Sequence, residues 1–334
     1  MNKEAKNDSS PISTGSEIQM GEFFVRSLLE RNGFSIGTFN EIETVSGGLI
    51  HHVYRLTSPD EVLYLKIRGS TFSRLPNIGL NPDDIQYEKK IMDLLEQKLP
   101  DMFPHVVSHY ETDHALLMTD VMPSGVTLEG LFNAGNVSEE MMLECGKAVT
   151  RFQKAVASSS PVRPDNDNLS YSNNLLYRLG YLGIPEVDKA IEQLKQMPRQ
   201  LIFADFSPKN IGINANNKVT FCDLELVHSG NTIFDVGFLA SHILLHSKGA
   251  GEGIRRLESF LIGYLSEPNT DLDEELLKVL ILGIGLFRLD NPVIPYSLPI
   301  NENEKKKRIT KIRKILSSDI KQWSQIIERM TCYA

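Results

Sequence analysis

The chain has 334 residues, 41% of them hydrophobic and 23% charged, and a formal net charge of −8. That length and apolar content suffice for a large core, commonly divided between two lobes. The acidic balance argues against a nucleic-acid surface, which needs a basic stripe. Three scattered cysteines (Cys145, Cys222 and Cys332) form neither a disulfide framework nor a zinc pattern, so a reducing, cytoplasmic setting is expected.

Residues 1–16 lack an apolar segment and read as a disordered tail, not a secretory signal. A helix capped near Ser16 or Gln19 follows, with Phe24, Val25, Leu28 and Leu29 on one face and a stop at Gly33. Two β-like runs, 40–45 and 49–57, meet at Ser46-Gly47-Gly48. The glycine pair is either a plain hairpin turn or a place where backbone N–H groups approach a phosphate. After a turn at 58–61, a strand over 62–67 puts Val62, Tyr64 and Lys66 on one face. Asn81-Pro82-Asp83-Asp84 opens a helix, with Asn as cap, Pro in the first turn and two carboxylates at the positive end of the dipole. Its apolar stripe is Ile85, Ile91/Met92 and Leu95, and Glu88 falls on that same side. A lone carboxylate there is costly, so Glu88 needs a partner, and Lys66 is the candidate.

An apolar strand over 115–119 runs through Asp120-Val121-Met122 into Pro123-Ser124-Gly125 and reads as a crossover between lobes. Residues 138–157 predict one helix, with Met142, Cys145, Val149, Phe152 and Val156 at core spacing.

The segment 201–225, LIFADFSPKNIGINANNKVTFCDLE, carries the chemistry. A short apolar strand delivers Asp205 into a loop, where Pro208 keeps the chain irregular. Two strand-like runs, 211–213 and 219–222, flank the turn-rich 214–217. A hairpin centred near Asn216 and Asn217 puts Asn210 opposite Asp223. Asp205, Asn210, Asp223 and Glu225 then gather around one point, a set of hard oxygen donors suited to Mg²⁺. The alternative is an ordinary hairpin with acidic ends.

Taken in order, the glycine turn, Lys66, Glu88, Asp205 with Asn210 five residues on, and Asp223-Leu224-Glu225 resemble the aminoglycoside phosphotransferase and choline kinase-like small-molecule kinases. The resemblance covers about residues 40–296. It implies an α+β bilobal protein-kinase-like fold: an N-lobe at 17–118 built on a small antiparallel sheet, a hinge at 119–125 and a helical C-lobe at 126–334. It further implies ATP, with GTP left open, and Mg²⁺. Asp205 would be the catalytic residue, and Asn210, Asp223 and Glu225 the metal ligands. Ser46, Gly47, Gly48, Lys66, Glu88 and the hinge residues Thr119, Asp120 and Val121 would bind nucleotide. Asp235 would hydrogen-bond the catalytic-loop backbone, and a small-molecule hydroxyl would accept the phosphoryl group.

Phe203 stands where this family usually has His, which motivates a nucleotide-binding pseudokinase as an alternative. A protein-kinase-like enzyme is disfavoured, because Asp-Phe-Gly and Ala-Pro-Glu are absent. Arg288, at the end of an apolar helix, reads as a dipole partner there, although related enzymes place Arg-x-Asp near the acceptor. The basic run 305–308, with Lys311, Arg313 and Lys314, reads as the solvated face of one C-terminal helix reaching Trp323 and Ile326/Ile327. The longest apolar run, 279–287, is too short to span a bilayer. No nucleic-acid or membrane partner is expected, and oligomeric state is not readable.

Overall fold

Period-two burial builds the first sheet. The computed structural model describes residues 21–35, 37–46, 48–159, 171–266, 272–291, 296, 298, 300–318 and 322–331. Helix α1 (Glu22–Arg31) precedes strands β1 (Glu41–Thr44), β2 (His52–Thr57) and β3 (Val62–Ile67). Helix α2 (Ile85–Lys98) and strands β4 (Val106–Tyr110) and β5 (Ala115–Thr119) follow. The strands make one antiparallel five-stranded sheet in the order β1-β2-β3-β5-β4. Leu63, Leu65 and Ile67 of β3 are buried with Tyr54, Leu56, Val25, Leu28 and Leu29 in a single core. Phe24 lies off that core, being 36% exposed. At about 100° per residue it sits roughly a quarter turn from the Val25/Leu28/Leu29 stripe. Gly21 is the N-cap of α1, in place of the expected Ser16 or Gln19; those two residues, the tail and Gly47 lie outside the described residues.

The helical part comprises α3 (Leu128–Ala134), α4 (Glu139–Val156), α5 (Tyr171–Arg178) and α6 (Pro185–Gln196). Short strands β6 (Gln200–Ile202), β7 (Ile211–Ile213), β8 (Val219–Phe221) and β9 (His228–Gly230) come next. Helices α7 (Thr232–Leu245), α8 (Ala250–Leu265), α9 (Glu274–Asp290), α10 (Glu302–Leu316) and α11 (Trp323–Thr331) complete it. Ser138 caps α4 by accepting from Met141 N–H at 3.1 Å, and the five core residues expected on that helix are fully buried. Gly146 of α4 meets Gly263 of α8 so closely that an added Cβ on either would strike the other helix's backbone. Every residue of α7 from Ile233 to Leu245 is buried, because α8, α9 and α11 pack around it.

By packing, the chain divides into one unit running to Asp83 with His109–Leu117, and a second holding Asp84–Ser108 and everything from Met118 on. Helix α2 belongs to the second unit, where it packs on α4 and on the 3-10 turn Leu224–Leu226. Asn81 Oδ1 accepts from Asp83 N–H at 3.2 Å, so the helical course starts at Pro82 as read, through one 3-10 turn.

The C-terminal basic segment departs from expectation. It is two helices, α10 and α11, and Arg308 is fully buried, donating to Glu304 and to the Leu245 carbonyl. Among the described residues no helix is long and apolar enough to cross a membrane.

Candidate active site

The catalytic-loop candidate is built on strained backbone. After β6, Ala204 takes a left-handed conformation (φ 63°), uncommon for a residue with a Cβ. Two buried side chains hold it there. Asp235, in the first turn of α7, accepts from Phe203 N–H at 3.0 Å through Oδ2 and from Ala204 N–H at 2.8 Å through Oδ1. Arg178, at the end of α5, donates to the Ala204 carbonyl, with its guanidinium 4.7 Å from the Phe238 ring centre. Burial pushes the Asp235 carboxyl up to about 7, against the Phe203 and Ala204 N–H bonds, which pull it down. Surroundings that over-determine a strained residue are what allow it to persist. The expectation for Asp235 matches this geometry.

Asp205 follows directly and is caged. Its Oδ1 accepts from Ser207 Oγ at 2.5 Å and from Arg288 at 3.3 Å; its Oδ2 accepts from Asn210 Nδ2 at 3.2 Å. Arg288 also donates to Ser207 Oγ at 2.7 Å. This corrects the reading of Arg288 as a dipole partner only: α9 ends so that its guanidinium reaches the loop. The Asn210 amide donates to the Asp205 backbone carbonyl as well, at 3.2 Å, so its carboxamide oxygen is the atom that could serve a metal.

Beyond Asn210, β7 and β8 pair as Ile211↔Phe221, Gly212↔Thr220 and Ile213↔Val219. That register puts Asn210 opposite Cys222, whose N–H donates to the Asn210 carbonyl at 3.0 Å, and not opposite Asp223. The one-residue offset comes from the loop. Asn214 pairs with Lys218 through backbone, and Asn214 Oδ1 accepts from Asn216 and Lys218 N–H. With Asn217 left-handed (φ 56°), the turn centres on Asn216 alone. Asp223 is left-handed too (φ 68°) and leads into the 3-10 turn that carries Glu225.

Asp223, Asp205 and Glu225 each lie near enough to Lys209 to act on its ammonium. Desolvation alone would lower the Lys209 ammonium, but Asp223, Asp205 and Glu225 together raise it. Among the described residues no three His, Cys, Asp or Glu side chains form a ready-made metal cluster. Mg²⁺ fits such a site all the same, since it ordinarily takes one or two carboxylates and completes its shell with phosphate oxygens and water. The donors present are hard oxygens in a region negative enough to raise a lysine.

Phe203 replaces the usual His with packing. Its ring stacks on Phe206 at 4.4 Å and meets Phe152 edge-on at 5.8 Å and Phe221 at 5.8 Å, fully buried. Phe221 lies two residues before Asp223, so aromatic packing links the loop to the turn that carries Asp223.

Lys66 and Glu88 are both buried, each on its own element. Ser46 and Gly48 flank the turn between β1 and β2. Thr119, Asp120 and Val121 line a cavity of about 310 Å³ together with Phe103, His105 and Met122. Thr119 is committed to His105 through backbone N–H (3.0 Å) and hydroxyl (2.9 Å), and Asp120 Oδ1 accepts from Met122 N–H at 2.7 Å.

Sequence reading missed Ser207, Lys209, Arg178 and the side chains behind Arg288. Those are His242 of α7, His246 at its C-cap, and Tyr296. The available signal was the i,i+4 histidine pair on an otherwise apolar helix.

No curated protein matches the chain in sequence. Among solved structures it resembles choline kinase LicA from Streptococcus pneumoniae (14% identity, TM-score 0.52, covering 92% of this chain and 96% of that one). It resembles amicoumacin kinase hAmiN solved with AMP-PNP, Ca²⁺ and Ami (15%, 0.53, 87% and 92%). A third is spectinomycin phosphotransferase APH(9)-Ia with ADP and spectinomycin (13%, 0.51, 92% and 96%). At these identities the likeness establishes the fold, an α+β kinase-like arrangement of antiparallel sheet and helical part. The model of the phosphotransferase enzyme family matches residues 41–274, well over half the sequence, and the chain belongs to that family.

Proposed function

We propose that the protein transfers the γ-phosphoryl group of ATP to a hydroxyl of a small-molecule acceptor. The observation that carries this reading is the unequal loading of the Asp205 carboxylate: two donors on Oδ1, one on Oδ2. A carboxylate oxygen has about two lone pairs, so Oδ2 keeps one for an acceptor hydroxyl. Asp205 orients that hydroxyl and takes its proton at Oδ2, while Ser207 and Arg288 fix the carboxylate plane from the other side.

Asn210, Asp223 and Glu225 are the residues that would hold Mg²⁺, which when bound supplies charge neutralisation on the phosphates. Lys66, Glu88 and the backbone at Ser46, Gly47 and Gly48 are the residues that would bind the nucleotide. Asp120 and Val121 are left to offer backbone to the base, because the Thr119 N–H is occupied by His105. Positioning and fixed electrostatics supply most of the acceleration in this scheme. ATP is supported by relatives solved with AMP-PNP and ADP, and a small-molecule acceptor by relatives named for choline, amicoumacin and spectinomycin.

The second reading, a nucleotide-binding protein without turnover, rests on Phe203. The stacking around that ring favours the enzyme, since the loop is braced without the histidine.

The test is ADP release from Mg-ATP, and in parallel from Mg-GTP, over aminoglycosides, amino alcohols and sugar-like alcohols. Asp205→Ala is the control. Acceptor-dependent turnover that falls by about 10²–10⁴-fold in the variant is expected. Nucleotide binding with no turnover on any acceptor supports the second reading instead.

A further inference from the structure

Behind Arg288 lies a row of buried and half-buried polar groups that the transfer reaction does not itself use. Arg288 Nε is 3.1 Å from His242 Nε2. His242 Nδ1 is 2.9 Å from the Tyr296 hydroxyl, and that hydroxyl is 2.8 Å from His246 Nε2. His242 is fully buried and His246 is 4% exposed. The Arg288 guanidinium also lies 4.8 Å from the ring centre of Phe238, 5.1 Å from Phe287 and 5.0 Å from Tyr296.

The placement of protons along the row starts from Arg288. An arginine only donates, so His242 Nε2 must be the bare, accepting nitrogen. The ring is then neutral and carries its proton on Nδ1, from which it donates to the Tyr296 oxygen. A chain running one way then sends the phenolic hydrogen to His246 Nε2, 2.8 Å from that oxygen. His246 therefore has a bare Nε2 as well and, when neutral, carries its proton on Nδ1. Burial, with Arg288, His246 and Arg178 nearby, holds His242 well below the ordinary imidazole range. Burial with Arg256 and Arg308 takes His246 down to about 4. Both rings are accordingly neutral near pH 7.

We infer that His242, Tyr296 and His246 form a one-way hydrogen-bond chain that fixes the Arg288 guanidinium and, through it, the Asp205 carboxylate. They are positioning residues. His242 accepts from Arg288 Nε, while Arg288 Nη2 bridges Ser207 and Asp205. The inference rests on the reading of Asp205 as the residue that orients the acceptor.

Two measurements test it. The first is independent of activity: ¹⁵N imidazole spectroscopy of the full chain, labelled at histidine, near pH 7. His242→Gln and His246→Gln assign the signals. Both rings are expected as the Nδ1–H tautomer; an Nε2–H ring or an imidazolium at His242 overturns the chain. The second compares two substitutions at one position. His242→Gln keeps a carbonyl near the Nε2 site and is expected to hold turnover within about threefold of the parent. His242→Asn puts its amide near Nδ1, leaves Arg288 without an acceptor, and is expected to lower kcat about tenfold (~1.4 kcal/mol) with nucleotide KM unchanged. Equal kcat in the two variants, or a loss confined to nucleotide KM, overturns the positioning role. If the protein turns over no acceptor at all, the proposed function fails while the tautomer result still decides the chain.

Discussion

The Asp205 loop and the turn joining β1 to β2 are held in opposite ways. Around the loop, Asp235, Arg178, Arg288 and four phenylalanines fix one five-residue stretch from several sides. At the turn, the ladder ends with Val45 N–H on the Val53 carbonyl, and Glu43 to Ser46 are all exposed. Further on, Ser73 binds the Leu49 and Ile50 carbonyls. Groups that must aim a side chain need partners with fixed geometry. A segment that offers backbone N–H groups to phosphates needs only room and permissive dihedrals. The contrast predicts where substitutions hurt.

Removing Asp235 should cost most. Asp235→Ala leaves two buried backbone donors without acceptors and frees Ala204 to relax. A loss of about 2–5 kcal/mol is expected in denaturant unfolding; a loss under about 1 kcal/mol would mean the loop is not held from α7. Next comes Phe203→His, the residue usual in the family. It buries an imidazole among Phe152, Phe206 and Phe221, with an expected cost of about 1–3 kcal/mol and no gain in turnover. A gain would mean that Phe203 impairs the site.

Smaller is the pH effect of His246. Its folded pKa, about 4, lies below the ordinary 6.5, because burial, Arg256 and Arg308 disfavour the cation. Between those values the unfolded chain binds the extra proton. The contribution is therefore present above about pH 6.5 and lost as pH falls towards 4, by up to about 1.4 kcal/mol per pH unit. Asp235, whose pKa is raised, acts in the opposite sense over about pH 4–7, so whole-protein stability blends the two. The stability difference between parent and His246→Gln isolates the histidine and should shrink as pH drops from 6.5 to 4.5. Smallest should be Gly48→Ala, where an added Cβ meets only the His51 carbonyl oxygen at 3.4 Å. A change within about 0.5 kcal/mol is expected; a larger one would show that the turn is as constrained as the loop.

What could be read in advance follows the same division. The pairing of Asp205 with Asn210 in one loop is legible because residue type and local spacing announce it, and the burial of Glu88 because helical periodicity places it on the apolar side. The hairpin register missed by one, since it depends on how Asn214 and Asn217 close the turn, a matter of loop geometry that strand pattern does not carry. Arg288 and Arg178 reach the loop across 83 and 26 positions. Only the packing of α5, α7 and α9 brings them there. Phe203 was visible as a departure from pattern, but its replacement support, stacking on Phe206 and Phe221, needed the fold.

The central claim is that Asp205 orients the acceptor and does not hold the nucleotide. Its most direct test is paired: nucleotide Kd by calorimetry and kcat with an active acceptor, for the parent and Asp205→Ala. The account predicts an unchanged Kd with kcat reduced about 10²-fold or more. A variant that keeps its kcat would contradict it.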